Sequence, residues 1–534
     1  MLETPKDITP VVIIGAGIGG IVAAISLQQK IGLNNYKIYE KANDVGGTWR
    51  QNTYPGCSSD VPVHLFSLST DPNPDWNHVF GSYSEIQAYW KHLAIKHGVE
   101  SHINYSKEVL SAIWNEDANC YTLNIKDTQT GVVTQTRSRV VISAIGIFHY
   151  PKWPEIPGRE SFRGISLHAQ AWDHSVEMSG KRVGLIGNGC AGSQILPCIS
   201  EDRSTIVTNF CKTPSWYVGR RQTKVPEWVK WLFRNVPATL RIFRYLIACF
   251  IEFNYQSLRN RPGASYFQNR VQKYAINYIK STAPEKHHAN LLPNYPMGCK
   301  RVIADPDYLS ALHRPNVNLE WDPIVKIIPE GVITKCGRKY ELDVLCFATG
   351  FDVESSVVLN VQGRNGLTLK EYYTREGGPT GYLCTTAPGF PNWITLFGPN
   401  TIGTVSLVYS DELQMNYAVQ LIEPVLRGQI QNFSPRADKV EAWNHWLQSY
   451  LSKDIYTGCA TYYLHNNGEG KNINVWPGGS MYMWWNLYRP IWKDFDIRGD
   501  KRHPYSQLGS FVYPVLFLLG LICAVHLFLV TLGL

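Results

Sequence analysis

The chain has no CxxC pair, no cysteine–histidine spacing suited to zinc, and no long run of basic residues. Its twelve cysteines stand singly, from Cys57 to Cys523. That spacing argues against a metal site and against a two-nucleotide disulfide reductase, which needs a redox pair of CxxC or CxxxxC type beside its flavin. No N-terminal signal peptide is expected, since Met1 to Thr9 is short, polar and followed directly by an apolar run. The expectation is reduced thiols in a cytosol-facing protein. The net charge of +8 is spread thinly over 534 residues. It suits anionic cofactors and membrane surfaces and gives no nucleic-acid footprint. With 44% apolar and 18% charged residues, the chain has enough material for two or three domains with cores of their own.

Long hydrophobic runs are absent until the end. Phe511 to Leu534 reads FVYPVLFLLGLICAVHLFLVTLGL, with no Asp, Glu, Lys or Arg. As a helix it would extend roughly 36 Å at 1.5 Å per residue, enough to cross a bilayer core. Lys501, Arg502 and His503 lie just before it, where the cytosolic side of a membrane favours positive charge. A buried globular helix is the alternative; residues 511–534 are expected to be a transmembrane tail anchor, of the endoplasmic reticulum before other membranes. A second apolar stretch, Ala238 to Phe253, carries Arg241 and Arg244. It reads either as a helix with one buried face or as one that dips into a membrane.

Two glycine loops organise the rest. Val11–Ile14 leads into Gly15-Ala16-Gly17-Ile18-Gly19-Gly20 and a helix of small residues. Gly15 would make the turn, Gly17 would admit a pyrophosphate, and Gly20 would allow close helix–strand packing. Glu40 closes the next strand, about 20 residues on, where a ribose-binding carboxylate is expected. Val183–Ile186 followed by Gly187-Asn188-Gly189-Cys190-Ala191-Gly192 repeats the device. Here the following strand, Thr205 to Phe210, ends in Cys211-Lys212-Thr213. A cation at that place suits the 2′-phosphate of NADPH, and Lys212 supplies one. The first loop therefore suits FAD and the second NADPH. Asp60 sits among small and apolar residues, where a carboxylate needs a cation unless it caps a helix or a turn.

Between the loops lies Phe162-x-Gly164-x-x-x-His168-x-x-x-Trp172-Asp173, after a proline-rich linker. Earlier comes Gly46-Gly47-Thr48-Trp49, then Tyr54-Pro55-Gly56 and Asp60, and later Gly298-Cys299-Lys300-Arg301. Together these patterns resemble the type I Baeyer–Villiger monooxygenases over nearly all of residues 8–485. The resemblance implies an α/β fold of two doubly wound, Rossmann-like domains. The FAD domain (1–150 and 351–505) would be split around an NADP domain (151–220 and 301–350) that carries a helical insertion (221–300).

It also implies that NADPH reduces FAD and that O₂ then adds to the flavin as an anionic peroxide. The peroxide inserts oxygen beside the carbonyl of an apolar ketone to give an ester or lactone. In this scheme Arg301 is catalytic and Asp60 orients it. Cofactor contacts fall to Gly15, Gly17, Gly20, Glu40, Gly47, Thr48, Trp49, Asp60, Gly187, Gly189, Gly192, Gln194, Lys212, Thr213, Lys300, Arg301 and Asn400. Phe162, Gly164, His168, Trp172 and Asp173 would couple the domains. The alternatives are an N- or S-oxygenating flavin monooxygenase, in which an aromatic residue and a lysine usually replace Trp172 and Asp173, and a membrane-tethered flavin-binding partner without turnover.

Overall fold

The computed structural model describes residues 7–499 apart from 221, 261–263, 357–358, 404 and 469. The apolar segment 511–534 lies outside the described residues, and among those described no helix is long and apolar enough to cross a membrane.

Two sheets carry the molecule. The first is centred on Ile8–Ile14, whose Val11, Val12 and Ile13 are wholly buried. It is flanked in parallel by Tyr36–Tyr39 and Val133–Ser143. A strand covered on both faces reads as a continuous apolar run rather than an alternation, as this one does. Lys107–Asn115, Cys120–Asp127 and Val133–Ser143 then form an antiparallel meander. Asn360–Gln362 joins its far edge, and Trp393–Thr395 pairs with Val133–Ser143. Two strands of this sheet thus come from beyond residue 350.

The second sheet is wholly parallel, in the order Val317–Glu320, Ile206–Phe210, Arg182–Ile186, Val344–Phe347, Ile165–His168. The stretch Phe162–Asp173 is therefore more than a join between units. Its middle is an edge strand of the second sheet, and Gly164 lies so close to the Asp343 carbonyl that a Cβ would sit 2.5 Å from it.

Between two strands of the second sheet, Ile206–Phe210 and Val317–Glu320, come the helices Glu227–Asn235, Thr239–Leu258 and Ser265–Thr282. The second of these braces both ends of the chain. Arg244 donates to the Ser67 carbonyl at 2.9 Å, and Glu252 accepts from the Ser480 backbone N–H at 3.1 Å. Arg259, fully buried just beyond the helix, pairs with Asp454 at 2.5 Å. One face of Thr239–Leu258 is docked, while Ile242 and Phe250 remain exposed.

Burial pushes the imidazoles of His64, His149 and His168 down to about 4, with Arg244 and Lys41 adding repulsion at the first two. Each is neutral when folded, so below its unfolded value of about 6.5 the unfolded chain binds the extra proton. Stability should accordingly be full above about pH 6.5 and fall as the pH drops towards 4. Among the described residues His64 has no hydrogen-bond partner, and it lies edge-on to Phe243 at 5.1 Å. In a thermal melt series, His64→Phe should flatten this acid-side loss; an unchanged slope would rule His64 out as a contributor.

Candidate active site

The two glycine loops close in the same way. Gly15 and Gly187 have φ of +98° and +109°, a region in which a side chain is strained. A Cβ on Gly20 would lie 2.0 Å from the Gly15 carbonyl oxygen, and one on Gly192 would lie 2.2 Å from that of Gly187. Gly17 and Gly189 stand as N-caps in extended conformation, at φ −74° and −79°, ahead of helices whose first amides have no side-chain cap. Such amides, with the helix dipole, suit a pyrophosphate.

At the first loop, the Glu40 carboxylate accepts from the backbone N–H of Ala16 at 2.7 Å and of Ala42 at 2.9 Å. It is thereby fixed at the loop where a ribose would lie. Gly47 packs its backbone against Gly17, leaving only 3.0 Å from a would-be Cβ to the Gly17 Cα. Thr48 and Trp49 begin the short helix that follows, and Trp49 meets Phe66 edge-on at 5.4 Å while packing against both cores.

At the second loop, Thr213 is held by the Asn188 amide, which donates to its carbonyl at 2.9 Å. Lys212 is exposed and Lys300 half-buried. Burial, and then the charge of Lys212, lowers the Lys300 pKa, and its ammonium sits 5.1 Å from the Tyr295 ring centre. Two cations that repel one another at a nucleotide loop make a natural seat for a phosphate.

Arg301 and Asp60, 241 residues apart in sequence, meet beside the second loop, close enough to Cys190 at the head of its helix to act on that thiol, and the Arg301 Nε donates to the Asp60 Oδ2 at 2.5 Å. The side chains are 38% and 30% exposed, so the pair faces open space rather than a sealed core. Asp60 holds the guanidinium well above its ordinary pKa against the cost of desolvation, helped by the neighbouring Tyr462 and Tyr463. The cation is thus permanent and cannot act as a proton donor.

Gln194 ties the helix of the second loop to the segment 54–60. The Tyr54 hydroxyl donates to its Oε1 at 2.9 Å, and its Nε2 donates to the Ser58 carbonyl at 3.0 Å. Arg220 adds a second guanidinium nearby, donating to the Ser58 Oγ at 3.0 Å and stacking on Phe80. Asn400 is buried, and its amide donates to the carbonyls of Asn472 and Val475 at 2.8 and 3.2 Å. In this structure it shapes the segment 472–475.

Of the stretch Phe162–Asp173, His168 is buried, 5.1 Å from the Trp153 ring, and accepts from the Gln170 N–H at 3.1 Å. Gln170 in turn donates to Gln51 and to the His149 carbonyl, so it reaches across to the first unit. Phe162 packs under the second sheet and Trp172 against its core. Asp173 is exposed and spends its carboxylate on the Ser175 N–H and hydroxyl.

One expectation is corrected. Cys299 and Cys459 form a disulfide across 160 residues, so the thiols are not all reduced. The fold, not local spacing, brings the pair together, two residues before Arg301 and three before Tyr462. Such a long closed loop should be worth about 2–5 kcal/mol. Cys459→Ser should lower the melting temperature under non-reducing conditions and make it insensitive to dithiothreitol. If reductant shifted wild type and variant equally, the cross-link would not be contributing.

A family profile for NAD(P)-binding Rossmann-like domains matches residues 13–83. A Baeyer–Villiger monooxygenase of Streptomyces coelicolor is 35% identical over 477 residues, spanning 88% of each chain. The chain belongs to the Baeyer–Villiger monooxygenases. A second member, from Pseudomonas aeruginosa, is 31% identical over 91% of this chain and 90% of its own. Cyclohexanone monooxygenase from Rhodococcus sp. Phi1, solved bound to NADP⁺, superposes with a TM-score of 0.80 at 25% identity, covering 93% of this chain and 100% of its own. This Baeyer–Villiger family member thus carries the flavin monooxygenase fold from end to end of the matched region.

Proposed function

We propose that this family member oxidises an apolar ketone to an ester or lactone with FAD, NADPH and O₂. The observation that carries the reading is the Arg301–Asp60 pair beside the second of two glycine loops of matching geometry. Bound FAD supplies hydride acceptance from NADPH and the activation of O₂. The protein's own residues do the rest.

Gly15, Gly17, Gly20 and Gly47 present backbone to the FAD pyrophosphate, and Glu40 faces its ribose. Thr48 and Trp49 wall the same side. Gly187, Gly189 and Gly192 cradle the second nucleotide, with Lys212, Thr213 and Lys300 at its 2′-phosphate. Gln194 and Tyr54 fix the helix of the second loop to the segment 54–60. Arg301 presents a fixed positive charge where negative charge develops on oxygen, and Asp60 sets its direction. His168 and Gln170 couple the two units. In this reading residues 1–150 and 351–505 form the FAD unit, residues 151–220 and 301–350 the NADP unit, and 221–300 the insertion. The apolar segment 511–534 anchors the chain in a membrane and so gives it access to ketones dissolved in lipid.

Incubation with NADPH and a panel of linear, cyclic and aromatic ketones tests the reading. NADPH consumption should rise with at least one ketone, matched by ester; consumption matched only by hydrogen peroxide on every ketone would contradict it. Cofactor choice is a separate expectation. Each charge-assisted hydrogen bond to the phosphate is worth about 1.5–3 kcal/mol. Lys212→Ala should therefore raise the KM for NADPH by roughly 10–100-fold and leave that for NADH nearly unchanged. Equal changes for both would make Lys212 a solvated surface residue.

A further inference from the structure

The helix Glu227–Asn235 is tied down by polar contacts, with Lys230 turned inward. Lys230 is buried and donates to the Asn77 side chain at 3.0 Å, while also pairing with Glu227 at 2.9 Å. Arg234 donates to Asp75 at 2.5 Å. These contacts pin the helix to the first unit. Trp228 and Trp231, three residues apart and so on one face, are turned outward, 69% and 58% exposed. The apolar surface continues through Val236 in the turn and Ile242 on the next helix, the latter 57% exposed. An ordinary surface helix buries its apolar stripe, and a soluble protein gains nothing by fixing two indoles in water.

The surroundings are basic. Between Arg220 and Arg244 the sequence carries seven Lys or Arg against one acid, Glu227. Lys224, four residues before Trp228, and Arg241, on the next helix, are exposed. Indoles flanked by cations are the composition of a surface that rests at the headgroup level of an anionic bilayer. The chain also ends in 24 residues without an Asp, Glu, Lys or Arg, which lie outside the described residues.

We propose that the helix Glu227–Asn235 and the turn after it form a membrane-contact surface, seating Trp228 and Trp231 among the headgroups of anionic lipid. The surface deepens the reading of segment 511–534 as an anchor, but it makes its own contact and can be tested apart from it. The two attachments differ in kind. An inserted tail resists extraction by alkaline carbonate, whereas the indole–cation surface is reversible and weakens with salt.

The test uses full-length flavoprotein with vesicles of phosphatidylcholine, alone or mixed with phosphatidylserine, some made with brominated acyl chains. Three proteins are compared: wild type, Trp228→Ser/Trp231→Ser, and Lys224→Glu/Arg241→Glu. The altered side chains lie at the surface, and flavin content reads folding in each. In wild type, brominated lipid should quench part of the tryptophan emission, and more so with phosphatidylserine. The tryptophan double variant should lose that quenched fraction while keeping its flavin. The charge variant should lose the dependence on phosphatidylserine.

Carbonate extraction reads the tail separately. If the tail is extracted, the anchor reading fails, and the surface alone should then hold the protein on anionic vesicles in a salt-reversible way, with binding about tenfold weaker in the tryptophan variant. Quenching that is absent in wild type, or equal in wild type and the tryptophan variant, would overturn the proposal. So would concentration-dependent self-association abolished by the same two substitutions, since the face would then belong to a second copy of the chain.

Discussion

Arg301→Ala should leave reduction of the flavin by NADPH intact and lower ester formation by roughly 10²–10³-fold, the usual cost of removing one fixed group that stabilises developing negative charge. Hydride transfer to the flavin needs the nucleotide loops, which Arg301 does not build. Oxygen insertion needs a cation that stays charged, and Arg301 is kept charged by Asp60 at 2.5 Å. Arg301→Lys should recover only a fraction of the ester, because an ammonium keeps the charge but loses the planar fork that holds Asp60. Asp60→Asn should weaken the same step by misdirecting the guanidinium. Anaerobic stopped-flow reduction and product analysis separate the two half-reactions. If Arg301→Ala slowed reduction and ester formation equally, Arg301 would be a nucleotide-binding residue rather than the group that serves oxygen insertion.

The second large effect divides the cofactors. Gly20→Ala should yield protein without flavin, whereas Gly192→Ala should yield protein that holds flavin but is not reduced by NADPH. The reason is geometric and equal at both sites. The new methyl would lie 2.0 Å from the Gly15 oxygen in one loop and 2.2 Å from the Gly187 oxygen in the other, and both obstacles are backbone. The helix N-terminus must then move off its strand, and the amides that would face the pyrophosphate move with it. Flavin absorbance after purification reads the first change, and the rate of reduction at saturating NADPH reads the second. Flavin loss from both variants alike would mean that the second loop supports the fold rather than a nucleotide of its own.

How much of this was legible in the sequence depended on whether the cause was local. The strand–glycine–helix units at Gly15–Gly20 and Gly187–Gly192 could be read directly, because turn, close approach and packing are properties of neighbouring residues. Glu40 could be placed because it ends the strand beside the first loop. The meeting of Asp60 with Arg301 was expected only through family resemblance, since nothing within either segment points to the other. The disulfide between Cys299 and Cys459 was not legible at all: its two halves are 160 residues apart, and neither spacing nor flanking sequence marks them. The Tyr54–Gln194–Ser58 bridge and the Gln170 contacts escaped notice for the same reason. The stretch Phe162–Asp173 was read as a connection because its four-residue strand, Ile165–His168, is short and lies at an edge with two exposed positions. Trp228 and Trp231 offer the opposite lesson. Their helix has an apolar stripe that sequence reasoning would bury, and its attachment through buried Lys230 and the surface pair Arg234–Asp75 can be seen only once Asn77 and Asp75 are in place.

The central claim is that the protein directs one atom of O₂ into the bond beside a ketone carbonyl. It is tested most directly by turnover under ¹⁸O₂ with NADPH and a ketone the protein accepts, followed by mass spectrometry of the product. The account predicts an ester or lactone with one ¹⁸O in the ring or alkoxy position and the carbonyl oxygen unlabelled, and that product formed roughly 10²–10³-fold more slowly by Arg301→Ala. Oxygenation confined to amines or sulfides, with ketones returned unchanged and the label released as hydrogen peroxide, would contradict it.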